Sequence, residues 1–588
     1  MALAGSSKTD LDENQEKIYD SELMQLINEN ENKLKNNRYA DCYWIWAGQP
    51  YNTISIFLDK LHGKYVSTCV STLEVKNLLG KLVPYLCKAP CSSLKVDCSS
   101  VNLLGEYLDA ILVALKGTAV RSLDIKLANL DLMQVDLLRT VFSNLKQTKI
   151  EKLVLWDNKL ANNIDPLLSA LVDSDVRELD LSFNSLHLVQ ADLLRTAFSK
   201  LKHTKIEELT LCCNHLANNI DPLLSALVGT NVRYLDLSGN DLGLVQADLL
   251  RTAFSKLKHT KIEKLGLCGN HLANNIDPLL SALVGTNVRY LDLSGNYLGL
   301  VQADLLRTAF SNLKHTNTKI EDLNLSGNKL ANNVVLLLPA LVDSDVRKLD
   351  LDMNDLGLVQ ADLLGAAFSK LKDTKVENLR LASNTLENNV SPLLSALVDN
   401  TAIRYLDLCD NDLDSVELKT LCKAFSSLQH TAVDSLNFHA DGFSSWDLNS
   451  MEQLLATLSN TKIRNVSCSG PEGSGNLVDW FNSNIAYPHD TVYHESGLQR
   501  ACIRTMMQNN LDLNAARSNI QLEKIIKEYE SDELGLEIGS ISDEESTTDE
   551  DIENSDEEDT ANEDIVNSDE EDTTDEDMEI PTKRSKLL

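Results

Sequence analysis

The chain has 588 residues, 43% of them hydrophobic and only 5% aromatic, so it can bury a large core that must be mainly aliphatic. Its formal net charge of −34 is concentrated at one end: residues 531–588 hold 24 acidic and three basic side chains. The remainder is only mildly acidic, which argues against DNA, RNA or an anionic membrane as the main partner, since those need clustered Lys and Arg.

Residues 1–20 are polar and without an apolar run, so no secretory signal is expected there and the segment reads as disordered. Residues 21–115 carry helical patterns, a degenerate repeat phrase at Cys91, Leu94 and Val96, and an aromatic cluster of Tyr39, Tyr43, Trp44 and Trp46. A cap over the first repeat is the expected role, because stacked units leave an open apolar end.

Residues 116–470 are repetitive. The phrase Val232, Leu235, Leu237, Asn240, Leu242 recurs with its asparagine at Asn158, Asn184, Asn214, Asn240, Asn270, Asn296, Asn328, Asn354, Asn384 and Asn411. Short units of 26 residues mostly alternate with long ones of 30, and a pair of about 56 is the true period. Leu235 and Leu237 are predicted to share one face of a short strand, with Asp236 on the other. Asn240 falls where the chain leaves the strand, so its amide can satisfy backbone groups at the bend. In the long units Leu193, Leu194, Ala197, Phe198 and Leu201 form a stripe at helical spacing. In the short units Asp165-Pro166, Asp221-Pro222, Asp277-Pro278 and Ser391-Pro392 read as an N-cap and first-turn proline. Two segments are word-for-word copies 56 residues apart: Val189–Glu207 recurs as Val245–Glu263, and Asn214–Tyr234 as Asn270–Tyr290. Copying of this kind enlarges a binding surface and does not make a unique catalytic site.

The motif L-x-x-L-x-L-x-x-N-x-L, in helix-bearing units of alternating length, resembles the ribonuclease-inhibitor type of leucine-rich repeat from about Val120 to His439. Val433, Leu436, Phe438 and then Ile463, Val466, Cys468 close the series, while Ala128 replaces the asparagine in the first clear unit. The resemblance implies an α/β leucine-rich-repeat solenoid, a horseshoe with a parallel sheet on its concave side and helices outside. It names no partner, because this fold hosts many.

Residues 471–530 read as a C-terminal helical cap ending in a helix near Leu513–Tyr529. Residues 531–588 lose aromatics and pack Asp, Glu, Ser and Thr, as disordered chains do. Ser542, Ser555 and Ser568 each precede three acids and recur every 13 residues, resembling sites of acidophilic casein kinase two. The 12 cysteines include no C-x-x-C pair, so reduced thiols in a cytoplasmic or nuclear protein are expected. The longest apolar run, Val334–Val342, is too short to span a bilayer.

Every second strand carries an aspartate facing the concave side: Asp124, Asp180, Asp236, Asp292, Asp350 and Asp407. Tyr234, Tyr290 and Tyr405 precede three of them by two residues. Strands lie about 4.8 Å apart, so these carboxylates should stand roughly 10 Å from one another and suit a basic protein surface. The plainer alternative is that Leu-Asp-Leu-Ser only orders the strand. Arg121, Arg177, Arg233, Arg289, Arg347 and Arg404 recur at the strand starts and are expected to pair with acids along the ridge. His203, His259 and His315 are too sparse for a metal. No phosphate loop, G-x-S-x-G or H-E-x-x-H is present, so no enzyme activity, cofactor or metal is expected.

The expectation is a monomeric, non-enzymatic interaction scaffold for a basic protein. In layout it resembles the acidic leucine-rich nuclear phosphoproteins. It also resembles effectors that intracellular bacteria inject into host cells, which carry long arrays and a glutamate-rich C-terminal block. An alternative is a Ran GTPase-activating protein, a family that also joins such repeats to an acidic segment. The Ser-Asp-Ile-Phe-Thr-Gly-Arg stretch of that family has no counterpart here. A tail that buries no apolar surface contributes nothing to the solenoid's folding transition. Mass spectrometry after kinase treatment should find phosphate on Ser542, Ser555 and Ser568, and deletion of residues 531–588 should leave the melting temperature within about a degree. A drop of several degrees would mean that the tail packs on the repeats.

Overall fold

A computed structural model describes residues 45–48, 53–57, 83, 92–97, 104–126, 129–315, 317–438, 443 and 446–468. The chain divides into two compact units, Met1–Thr505 and Met506–Leu588, and all described residues belong to the first. The expected helix at Leu513–Tyr529, the acidic tail and its serines Ser542, Ser555 and Ser568 lie outside the described residues, as do Tyr39, Tyr43 and Trp44.

The first unit is a leucine-rich-repeat solenoid, and its described residues build one 16-stranded sheet whose strands follow in chain order. It opens with β1 (Ile45–Gly48), antiparallel to β2 (Thr53–Phe57), and every later neighbour is parallel. Next come β3 (Ser93–Asp97), β4 (Ser122–Lys126), β5 (Lys152–Val154), β6 (Glu178–Asp180), β7 (Glu208–Thr210) and β8 (Tyr234–Asp236). The series closes with β9 (Lys264–Gly266), β10 (Tyr290–Asp292), β11 (Asp322–Asn324), β12 (Lys348–Asp350), β13 (Asn378–Arg380), β14 (Tyr405–Asp407), β15 (Ser435–Phe438) and β16 (Asn465–Cys468).

Register follows from the period-two alternation of a strand. The central leucines of β5 to β15 lie opposite one another, as in Leu209–Leu235–Leu265–Leu291, and all are buried. Long units return through helices such as Ala191–Ser199 and Ala247–Ser255, and short units through Ile164–Ala170 and Ile220–Leu227. Phe142, Phe198, Phe254, Phe310, Phe368 and Phe425, one per long unit, are fully buried in a single apolar core. A column of identical aromatic plugs is what an otherwise leucine core needs to fill the wider helical layer. Among the described residues no helix is long and apolar enough to cross a membrane.

Two local expectations are corrected. Asp165, Asp221 and Asp277 are not N-caps, because the short-unit helices begin one residue earlier, at Ile164, Ile220 and Ile276. Asn163, Asn219 and Asn275 hold the cap positions without capping through their side chains. Their amides instead reach back to the preceding unit, where Asn219 Nδ2 donates to the Val189 carbonyl at 2.9 Å. Asp165 and Asp221 turn outward to the ammonium groups of Lys200 and Lys256. Ser391 likewise lies inside its helix, Val390–Ala396. The second correction concerns Leu193: the helix buries Leu194, Ala197 and Phe198 but leaves Leu193 51% exposed.

The repeated asparagines are the interlock between units. The Asn240 side-chain oxygen accepts from the backbone N–H of Asn214 at 3.0 Å and of Leu216 at 3.2 Å, both in the preceding unit. Its amide nitrogen donates to the Leu211 carbonyl at 2.9 Å, so the side chain closes the previous bend from both sides. The pattern repeats from Asn184 to Asn411, and every member is buried. On the ridge, Arg177 meets Glu207 at 2.8 Å, Arg233 meets Glu263 at 2.9 Å and Arg289 meets Glu321 at 2.5 Å, while Arg121 and Arg347 pair with Glu151 and Glu377. Arg404 departs from this pattern and donates to the Ala432 carbonyl at 3.4 Å. These pairs are solvent-exposed and each contributes at most ~1 kcal/mol.

Asn240→Ala removes the acceptor of two buried N–H groups and should cost about 3 kcal/mol. Asn218→Ala, at an exposed asparagine of the same region, should cost less than about 0.5 kcal/mol. Urea unfolding of the two variants separates the roles; equal losses would show that the column is not the interlock.

Candidate protein-binding face of the sheet

With the strand leucines turned into the core, the first and third residues of each strand stand on the opposite face. In the third position alternate units carry Asp180, Asp236, Asp292, Asp350 and Asp407, separated by Thr210, Gly266, Asn324 and Arg380. The sequence-predicted row is therefore a spatial row. Its members are not equivalent. Asp124 and Asp407 are buried, and the others are half-buried.

Each carboxylate from Asp180 onward has one oxygen committed to its own strand end. Asp180 Oδ1 accepts from the Ser182 N–H at 2.8 Å and from the Ser182 hydroxyl at 2.6 Å, and Asp236 holds Ser238 in the same way at 2.9 and 2.6 Å. Asp292, Asp350 and Asp407 accept from the N–H two residues on at 2.9, 3.0 and 3.1 Å. The phrase Leu-Asp-Leu-Ser thus does order the strand exit. In three of the five the second oxygen faces a tyrosine: Tyr234 donates to Asp236 Oδ2 at 3.1 Å, Tyr290 to Asp292 at 3.5 Å and Tyr405 to Asp407 at 3.0 Å. Burial, followed by the neighbouring carboxylate, pushes the Tyr234 and Tyr405 hydroxyls above the usual phenol range and Tyr290 to about 12. All three are firm proton donors at neutral pH.

Asp124 differs because β4 runs on through Lys126 and leaves no turn N–H to accept. One of its oxygens has no hydrogen-bond partner, and Lys126 stands 3.6 Å from the other. Burial raises its pKa against the pull of Lys126 and Lys95. At the far end lies a cluster that sequence reasoning missed. Arg380 Nη2 is 2.7 Å from Asp352 Oδ2, and its Nε is 3.4 Å from Asp350. Asp352 stands where Ser182 and Ser238 stand in other units, and Arg380 where Thr210 and Gly266 stand. Departure of two adjacent columns from the repeat consensus was the available signal.

Across β4 to β14 this face presents nine carboxylates (Asp124, Glu178, Asp180, Glu208, Asp236, Asp292, Asp322, Asp350, Asp407) against five cations, Lys126, Lys152, Lys264, Lys348 and Arg380. Between Asp236 and Asp292 the middle strand adds no side chain, and Gly266 is buried beneath the Asp236 carboxylate, whose Oδ1 lies 2.7 Å from where a Cβ would stand. Cys212, beside Asp236, has its thiol raised to about 12 by burial, which keeps it protonated and unreactive. Among the described residues no group of three potential metal ligands is brought together.

No protein-family model matches the chain. It is 27% identical over 292 residues to "Capping protein, Arp2/3 and myosin-I linker protein 3" of Mus musculus, and equally to that of Rattus norvegicus. The match takes in 46% of this chain and 20% of each relative, so the chain spans about a fifth of their length. Among solved structures it is similar to the leucine-rich repeat-containing protein LegL7 from Legionella pneumophila (22% identity, TM-score 0.40, 51% of this chain and 95% of that one). It is also similar to a chain of the Rad7 and Elc1 complex in yeast (13% identity, TM-score 0.35, 74% of this chain and 94% of that one).

Asp350 gives the face a pH dependence. Burial raises its pKa from 3.8 to about 6. The folded state therefore holds this proton more tightly than the unfolded state, so its contribution is fully present below about pH 4 and is lost as pH rises through about 6. Asp350→Asn, which keeps an acceptor for the Asp352 N–H, should gain up to ~2 kcal/mol relative to wild type at pH 7 and nothing at pH 4. Chemical unfolding at the two pH values reads this directly, and a gain independent of pH would assign the effect elsewhere.

Proposed function

We propose that the chain is a non-enzymatic protein-interaction scaffold of the ribonuclease-inhibitor type whose sheet face receives a basic protein partner. The observation that carries the reading is the carboxylate row itself, in which half-buried Asp236 and Asp292 stand two strands apart across Gly266, each bonded to a tyrosine, Tyr234 and Tyr290. A lysine or arginine side chain laid across this part of the row comes near two carboxylates, and tyrosine offers contact area at low entropic cost. The excess of carboxylates over cations along β4 to β14 supports the same polarity, since a like-signed face raises encounter rates with cationic partners. The alternation of short and long helix-bearing units supports the subclass.

Strand ordering and binding use different oxygens of the same carboxylate, so substitution can separate them. In Asp236→Asn/Asp292→Asn the amide oxygen still accepts from the N–H groups of Ser238 and Ser294, while two charges leave the face. Affinity for a lysine-rich peptide, compared in full chains and in chains ending at residue 530, should fall by about 1 kcal/mol, roughly fivefold, with a shallower salt dependence. An unchanged affinity together with a lower melting temperature would mean that the aspartates serve the strands alone.

A further inference from the structure

A second surface lies at the turns that leave the sheet and is made of leucine. Leu132, Leu188, Leu244, Leu300 and Leu358 end the short helical turns after the strands of five successive long units, and they are 63% to 81% exposed. Five residues further on, Leu137, Leu193, Leu249, Leu305 and Leu363 open the long-unit helices and are 37% to 57% exposed. Ten large apolar side chains in two matched rows far exceed the scattered exposure that surfaces normally show. In the sixth long unit the positions of both rows are polar, Ser415 and Thr420, so the surface is bounded.

The spacing of the outer row is set by backbone contacts. Gly243 N–H donates to the Asn270 carbonyl at 2.9 Å, Gly299 to Asn328 at 3.0 Å and Gly357 to Asn384 at 2.9 Å. Units therefore still stand at strand spacing immediately before each exposed leucine. A methyl group on Gly243 would fall 2.0 Å from the His271 carbonyl oxygen, which fixes that approach. Successive leucines, two units apart, are then separated by roughly 10 Å. Seven residues of α-helix rise about 10.5 Å. A helix with one apolar stripe in heptads matches this row step for step, and a strand with its rise of about 3.3 Å per residue does not bring a same-face side chain to that interval.

Charge selects the rest of the partner. An aspartate precedes each inner leucine: Asp136, Asp192, Asp248, Asp304 and Asp362, the first four with 87% to 95% of the side chain exposed. Arginine faces each of those four only across an exposed i,i+3 pair, and Gly365 takes the arginine's place beside Asp362. In the sixth long unit, where the leucines stop, the aspartate becomes Lys419. Leucine and aspartate therefore end together. We infer that the two leucine rows and their aspartates dock an amphipathic α-helix of a partner protein, with leucine-type residues in heptads and flanking Lys or Arg. This surface is distinct from the sheet face and stands whether or not that face binds.

The test uses the full chain and a synthetic helical peptide of about 28 residues, four heptads or ~42 Å, with leucine at the heptad positions and lysine beside them. Wild type should bind it, and Leu188→Ser/Leu244→Ser/Leu300→Ser should bind at least tenfold more weakly with an unchanged melting temperature. A peptide with its leucines replaced by serine and its lysines kept should bind wild type as weakly, and Asp236→Asn/Asp292→Asn should bind the leucine peptide normally. Equal binding by wild type and the triple variant overturns the inference. So does a wild-type dimer that becomes monomeric in the triple variant, which would assign the rows to a second copy. Sedimentation with phosphatidylcholine–phosphatidylserine vesicles in preference to the peptide would assign them to a lipid surface and overturn it equally.

Discussion

The solenoid depends on closing the same bend many times in a dry interior. Each unit leaves its strand through a turn whose N–H groups, as at Asn214 and Leu216, point into a space that water does not reach. The amide of the next unit's asparagine supplies what water would have supplied. Because donor and acceptor belong to consecutive units, no unit can satisfy its own bend, and stability arises between neighbours. Everything else in the fold is arranged around that dependence, including leucines in register, one phenylalanine per long unit, and a helix long or short enough to return the chain to its start.

The same dependence explains what was legible in the sequence. The asparagine interval and the Leu-x-Leu phrase are period signals, and they located the strands, their register, the alternation of units and the single α/β core. They did so because they record contacts that recur identically. What failed was local. The Asp-Pro pairs resemble helix starts, yet the chain is already helical at Ile220 because Asn219 is drawn backward to the Val189 carbonyl. Leu193 fits a helical stripe by spacing, but it stands one position off the buried line of Leu194, Ala197, Phe198 and Leu201 and so turns to the surface. Arg380 and Asp352 were hidden for the opposite reason, since a period search discards departures from the consensus.

The sheet face shows how one residue type serves two ends. A carboxylate that accepts from its own strand end is fixed in direction, so its remaining charge is presented without the entropy cost of ordering a free side chain. The leucine rows obey the reverse logic. They support no bend and fill no core, and their removal leaves every inter-unit hydrogen bond in place. Residues required by the fold and residues free of it thus lie a few positions apart in four long units, Asn240 and Leu244 being one such pair.

The copied segments have a consequence for how the array varies in length. Leu188-Val189 and Leu244-Val245 occupy equivalent places, and the residues from Val189 to Glu207 are those from Val245 to Glu263. Excising one pair of units, so that Leu188 is followed by Val245, creates no junction that the chain does not already contain. Slippage during replication can therefore shorten or extend the array by whole pairs without a folding defect. What changes is its reach: one aspartate of the row and one pair of exposed leucines per step. The protein behaves as a ruler whose graduations are set by the repeat and whose length is open to selection.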